Sequence, residues 1–315
     1  MLHITNGDSV VQGFREGGLP GDYLPWRDAL HDGPVPETDS LEALSDIRAR
    51  ALAGFGWGKY VDIRDQFAER DQTLLAFRDH EEVVLWFEHD LYDQLQLIQL
   101  LDFFASQDLG GTTLSIIQIG EHPEVQPFYG LGQLNGPQLM DLFPVRQEAS
   151  KDQLALGREA WDAFRAKDPT ALLGVAQDNV ECLPFLGAAI RRLLEEYPWK
   201  VDGLSRLQRN VLRATTDVAT RREEICRQSQ LFEEAPWGDA SVYLRLETLA
   251  GARNPAIIKT WNGGYMLSDL GKSLLFEEAD WVRARGGVDT WLGGVHLIGT
   301  EPQWRWDGET LKPRA

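Results

Sequence analysis

The sequence predicts an α/β protein. A Rossmann-like parallel-sheet domain occupies residues 1–125, and a mostly helical C-terminal region with a winged-helix-like unit follows. Three observations carry this. Val83 to Phe87 is an unbroken apolar run, as expected of a strand buried on both faces. At Glu88-His89-Asp90 the period turns helical, with Leu91, Leu95, Ile98, Leu101 and Phe104 on one face. The same change from apolar strand to polar loop recurs near the amino terminus and after residue 119.

Taken in order, Leu2 to Thr5 predicts a strand, Asn6-Gly7-Asp8-Ser9 a polar turn, and the residues through Phe14 a helix. No G-x-G-x-x-G follows the strand, so the turn is not a dinucleotide fingerprint. Asp22 to Trp26 reads as a short strand, with Pro25 implying an edge or an end. A loop from Arg27 to Pro36 then carries Arg27, Asp28, His31 and Asp32. Ser40 to Phe55 and Tyr60 to Phe77 are amphipathic helices, read as a cover for the sheet or a lid over the polar elbow. Thr113 to Ile119 predicts another strand, ending in Gly120-Glu121-His122-Pro123.

Residues 126–150 are rich in Gly, Pro and Gln and read as a linker or loop. A helical region is expected over 151–202, and a winged-helix-like region with a C-terminal hairpin over 203–315. Within the latter, three helices precede two short strands around Asn262-Gly263, a hairpin signal. Trp304 and Trp306 alternate in a later strand and share one face.

The net charge of −18 is unevenly spread. Residues 1–125 hold 8 Lys+Arg against 23 Asp+Glu, and residues 126–315 hold 23 against 26. The first part would repel nucleic acid and anionic membranes. Nucleic acid is therefore expected only through residues 203–275, where Arg206, Arg209, Arg213, Arg221, Arg222 and Arg227 are diluted by Asp217, Glu223 and Glu224. Two cysteines without a C-x-x-C and an opening without a signal-peptide pattern point to the cytoplasm. No run approaches the ~18 apolar residues of a membrane span.

Parallel strands bring their carboxyl ends to one rim, where ligands of open sheets bind. Glu88, His89, Asp90 and His31 are the candidate catalytic residues, while Asn6, Asp8, Ser9, Arg27 and Asp28 are the candidate ligand-binding residues. Asp8, Glu88 and Asp90 are the candidate ligands of a divalent metal, which takes oxygen donors. The plainer reading makes Asp8 or Ser9 a helix cap, pairs Arg27 with a nearby carboxylate, and places Asp90 and Asp93 at cap and third-residue spacing.

Leu2 to Ser9, Trp26-Arg27-Asp28 to Pro34, and Trp86 to Leu95 together resemble a bacterial family of uncharacterised proteins, domain-of-unknown-function family 1835. The resemblance covers about the first 125 residues, and the tail from Trp291 to Asp307 is similar to longer relatives. It implies that the three motifs form one set, and it brings no established activity. The expectation is an enzyme or enzyme-like binder of a small polar ligand, with or without a phosphate, by metal-assisted hydrolysis or phosphoryl transfer. No Walker loop, H-E-x-x-H or G-x-S-x-G is present. The alternatives are a ligand-sensing regulator with a DNA- or protein-binding winged-helix-like region, and a structural interaction module.

Overall fold

A computed structural model describes residues 1–177 and 181–313. The expectations for 151–202 and 203–315 therefore extend over 178–180 and 314–315, which lie outside the described residues. The fold is α/β. The chain divides into two units, residues 1–191 with 293–295, and 192–292 with 296–315.

Unit 1 opens with β1 (Leu2–Thr5), α1 (Asp8–Gly17), β2 (Asp22–Pro25) and the two-residue β3 (Gly33–Pro34). Two long helices follow, α2 (Leu41–Gly54) and α3 (Tyr60–Leu75). Then come β4 (Glu82–Glu88), α4 (Leu91–Ala105), β5 (Thr113–Ile119), α5 (Gly136–Leu142) and β6 (Gln147–Glu148). Helices α6 (Lys151–Arg165) and α7 (Thr170–Gln177) complete it, and the division between units falls inside α8 (Leu186–Leu194).

The sheet order is β2-β1-β4-β5-β6. The first four strands are parallel, with Thr5 opposite both Pro25 and Trp86, and Glu88 opposite Ile119. From β1 the chain moves to one side to form β2, then to the other side to form β4. The order thus reverses between β1 and β4, which is the topological switch point of the sheet.

Every residue of β4 from Val83 to Glu88 is buried, as the apolar run requires. Val84 and Trp86 pack with Val10 and Phe14 of α1, Leu139 of α5 and Ile117 of β5. Strand alternation turns Val83, Leu85 and Phe87 to the opposite face, where α4 and α6 pack on each other. Helices α2 and α3 form a small core of their own from Ala49, Leu52 and Phe67. Of the two roles expected for them, the structure shows α3 packed against β2 at the sheet edge.

Residues 126–150 are a correction to the linker expectation. They fold into α5 and β6, and Leu131, Leu134 and Leu139 enter the core beside α1. Strand β6 adds antiparallel to β5 through Ser115 and Ile116. Gly17 and Gly136 let α1 and α5 touch, since a Cβ on Gly136 would lie 2.4 Å from the Gly17 nitrogen. The expected boundary at 203 shifts as well, because the apolar face of α6 lies against α4 and brings residues 151–191 into unit 1.

Unit 2 holds α9 (Arg206–Ala214), α10 (Arg222–Ser229) and α11 (Asp239–Ala250), then the hairpin β7 (Ile257–Lys259) and β8 (Tyr265–Leu267). Thr220 bridges to Tyr265 on the outer side of β8. Helices α12 (Asp269–Leu275) and α13 (Trp281–Ala284) lead to β9 (Val288–Gly293) and β10 (Val295–Gly299), then to the pair β11 (Trp304–Trp306) and β12 (Leu311–Pro313). No helix among the described residues is long and apolar enough to cross a membrane.

Candidate active site at the carboxyl ends of β1 and β4

Strand β4 ends at Glu88, and α4 begins one short turn later. Asp90 caps α4 by accepting the Asp93 backbone N–H at 2.8 Å. Asp93, in the first turn of the helix, reaches back and accepts the Glu88 N–H at 2.9 Å. Strand end and helix start are thereby folded against each other. The carboxyl oxygens of Glu88, Asp90 and Asp93 lie within 4.8 Å of one another. Glu88 and Asp93 are buried and Asp90 is half-buried.

Asn6, just past the end of β1, joins two of the three. Its Nδ2 donates to Asp93 Oδ2 at 2.7 Å and to Glu88 Oε2 at 3.4 Å. From the other side the Leu131 N–H donates to Glu88 Oε1. Gly130 allows this approach, because a Cβ there would sit 2.3 Å from Glu88 Oε2.

Crowded burial disfavours negative charge. Burial first, and then the charge of Asp90, push Glu88 up to about 8, against the amide hydrogen bonds of Leu131 and Gly132. Burial likewise raises Asp90, opposed by the Asp93 amide and by the nearby His89 and His31. Asp93 is held well above the usual carboxylate range by burial and by the Glu88 and Asp90 charges. The three carboxyls are all raised and act on one another, so they titrate as a group.

The two histidines approach from different segments. His89 lies in the elbow itself, beside the rings of Phe128 and Phe185. His31 comes from the loop after β2, and its ring meets Tyr92 edge-on with centroids 5.9 Å apart. That loop is pinned by Arg48 of α2, which is fully buried. Arg48 Nη2 donates to Asp28 Oδ1 at 2.8 Å and Nη1 to the Asp32 carbonyl at 2.7 Å. Gln96 of α4 donates to the Asp28 carbonyl at 3.0 Å.

The sequence-based candidates thus separate into three sets. Glu88, His89, Asp90, His31 and Asn6 gather at the switch point. Asp8, Ser9 and Arg27 stand on the same rim but at the surface, where Asp8 pairs with Arg27 through both carboxylate oxygens. Asp8 is a correction as a partner of Glu88 and Asp90: its carboxylate goes to Arg27, and Asp93 completes the acidic group instead. Asp28 is a correction as a ligand-binding residue, since its carboxylate is buried against Arg48. Residue-by-residue reading also misses the Leu131 amide, supplied from the stretch read as linker. One signal for that stretch existed: Asn135 and Gln138 form a capping box, a helix-start signature.

No family model matches the chain, and no curated protein matches it.

Proposed function

We propose that unit 1 is an enzyme, or an enzyme-like binder, for a small polar ligand carrying an anionic group of the phosphoryl type. One observation carries this. Carboxyls from the end of β4 and the start of α4 meet Asn6 from β1 where the strand order reverses. Glu88, Asp90 and Asp93 are the residues that would hold a divalent cation, because hard cations take clustered oxygen donors. Such a cation would supply Lewis-acid chemistry for hydrolysis or phosphoryl transfer. Without a cation the Glu88 carboxyl holds a proton up to about pH 8, and a bound cation would displace that proton. His31 and His89 are further acid/base groups, and Arg27 is the clamp for the anionic group. The motif resemblance to family 1835 supports treating these segments as one set.

Calorimetric titration with Mg2+, Mn2+ and Ca2+ tests the reading. At about pH 9 at least one cation should bind wild-type protein, and binding should weaken about tenfold per pH unit per displaced proton on going to about pH 6. Asp90→Asn keeps a competent helix cap, and Glu88→Gln keeps the shape. Both should fold and lose the cation. Binding that survives both substitutions would place the cation elsewhere.

A ligand-sensing regulator is the second reading. In its favour, three helices and a hairpin in unit 2 keep the element order of a winged-helix-like unit. Against its nucleic-acid form, Arg206 pairs with Glu195, Arg209 with Asp202, Arg222 with Glu223 and Arg227 with Glu224. Salt-sensitive retardation of duplex DNA would support this reading over the first.

A further inference from the structure

Beside the free edge of β2, α2 and α3 leave a cavity of about 390 Å3. This falls in the roughly 300–1,000 Å3 range of small-molecule sites. Leu24, Trp57, Ile63 and Phe67 form its apolar wall, and Arg27 and Arg70 bring positive charge to it against the one carboxylate of Glu69. The two arginines differ in what they can offer. Arg70 is buried over the rings of Trp26 and Phe67, and its guanidinium is taken up by Asp71 and Ser45. Among the described residues the Arg27 side chain pairs with Asp8 at the surface, with side-chain exposures of 45% and 67%. An exposed ion pair of that kind contributes little, so an anionic ligand can take the place of Asp8.

Arg27 also connects the cavity to the carboxyl site. Its backbone N–H donates to the Asn6 carbonyl at 3.1 Å, and the Asn6 side chain donates to Asp93. Strands β2 and β4 flank β1, so roughly 10 Å, or two strand spacings, separates their carboxyl ends. We infer that the cavity takes the ring of an aromatic ligand whose anionic group is held by Arg27 at the entrance to the carboxyl site. The substrate class is then an aryl or similarly flat ring compound bearing a phosphate or phosphonate. Aromatic walls favour such a ring through offset and edge contacts. The inference rests on reading the rim as a ligand site, and it adds the shape and chemistry of the ligand.

The test uses the full chain and three probes: phenylphosphonate, butylphosphonate and methylphosphonate, followed by NMR titration of tryptophan indole N–H signals. Phenylphosphonate should bind at least about tenfold more tightly than methylphosphonate, which is about 1.4 kcal/mol. It should also exceed butylphosphonate and shift the Trp57 signal. Ile63→Trp, which fills the cavity, should erase the advantage of the ring and leave methylphosphonate binding in place. Thr73→Phe serves the same purpose if the first variant does not fold. Arg27→Met should weaken all three probes. Equal affinities, a ring advantage that survives both filled variants, or no phosphonate binding at all would overturn the inference. Glu88→Gln separates it from the cation reading. A ring preference in a protein that binds no cation leaves the cavity standing and removes the metal. Cation binding without ring preference does the reverse.

Discussion

Glu88 links fold stability to pH in a direction opposite to that of most carboxylates. Its folded value of about 8 lies above the ordinary carboxyl range, so between about pH 4.5 and 8 the folded chain holds a proton that the unfolded chain has released. Its contribution is complete below about 4.5 and is lost as pH rises through the folded value. Asp90 and Asp93 act in the same direction. Glu82, Glu196 and Glu247 act in the other, since their carboxyls are held below the usual value and lose their partners in acid. The melting temperature of cation-free protein should therefore peak near about pH 5 and fall towards pH 8. Glu88→Gln should flatten the fall and melt higher than wild type at about pH 8, as scanning calorimetry would show. A second prediction concerns Asp28. Replacing it by Asn leaves Arg48 buried without its charge partner, at a cost of about 3–5 kcal/mol in denaturant unfolding. At this scale the sequence was partly legible. Glu88, His89 and Asp90 stand out because they interrupt an apolar run. Asp93 does not, because the third position of a helix is an ordinary place for an acid, and only the fold shows that its side chain turns back to Glu88 and Asn6.

Among the elements, β4 and α4 were legible end to end, since a fully buried strand followed by an apolar helix leaves little freedom in composition. Residues 126–150 were not. Their elements are short, Pro and Gly are frequent, and no period runs long enough to announce a helix, yet Leu131, Leu134 and Leu139 are all buried. The close passage of α1 and α5 explains why glycine stands at 17 and 136, and neither position is conspicuous in the sequence. Gly136→Val should force the two helices apart and cost more than the roughly 0.5–3 kcal/mol of an ordinary substitution. Because α5 follows directly on the loop that presents the Leu131 amide to Glu88, and that amide favours the charged carboxylate, the same change should also raise the Glu88 value. NMR titration of its side-chain carboxyl carbon would detect this.

For the whole molecule, the order of units is not the order of the chain. Gly293 accepts the Val35 N–H at 2.8 Å and the Gly294 N–H donates to the Phe164 carbonyl at 2.9 Å, so unit 1 is completed by residues a hundred positions beyond its main body. A chain ended at residue 191 lacks those partners. It should melt below unit 1 in the full protein, which hydrogen exchange at the β4 amides would report. No local pattern reveals a return of this kind, because it depends on two backbone hydrogen bonds made by glycines. The sheet of unit 1 carries one more consequence. Its outermost strands are β2, four residues ending in Pro25, and β6, only two residues long. Neither presents a row of open amides and carbonyls long enough to template another chain. Strand-by-strand self-association through β2 or β6 should thus be disfavoured in concentrated solution.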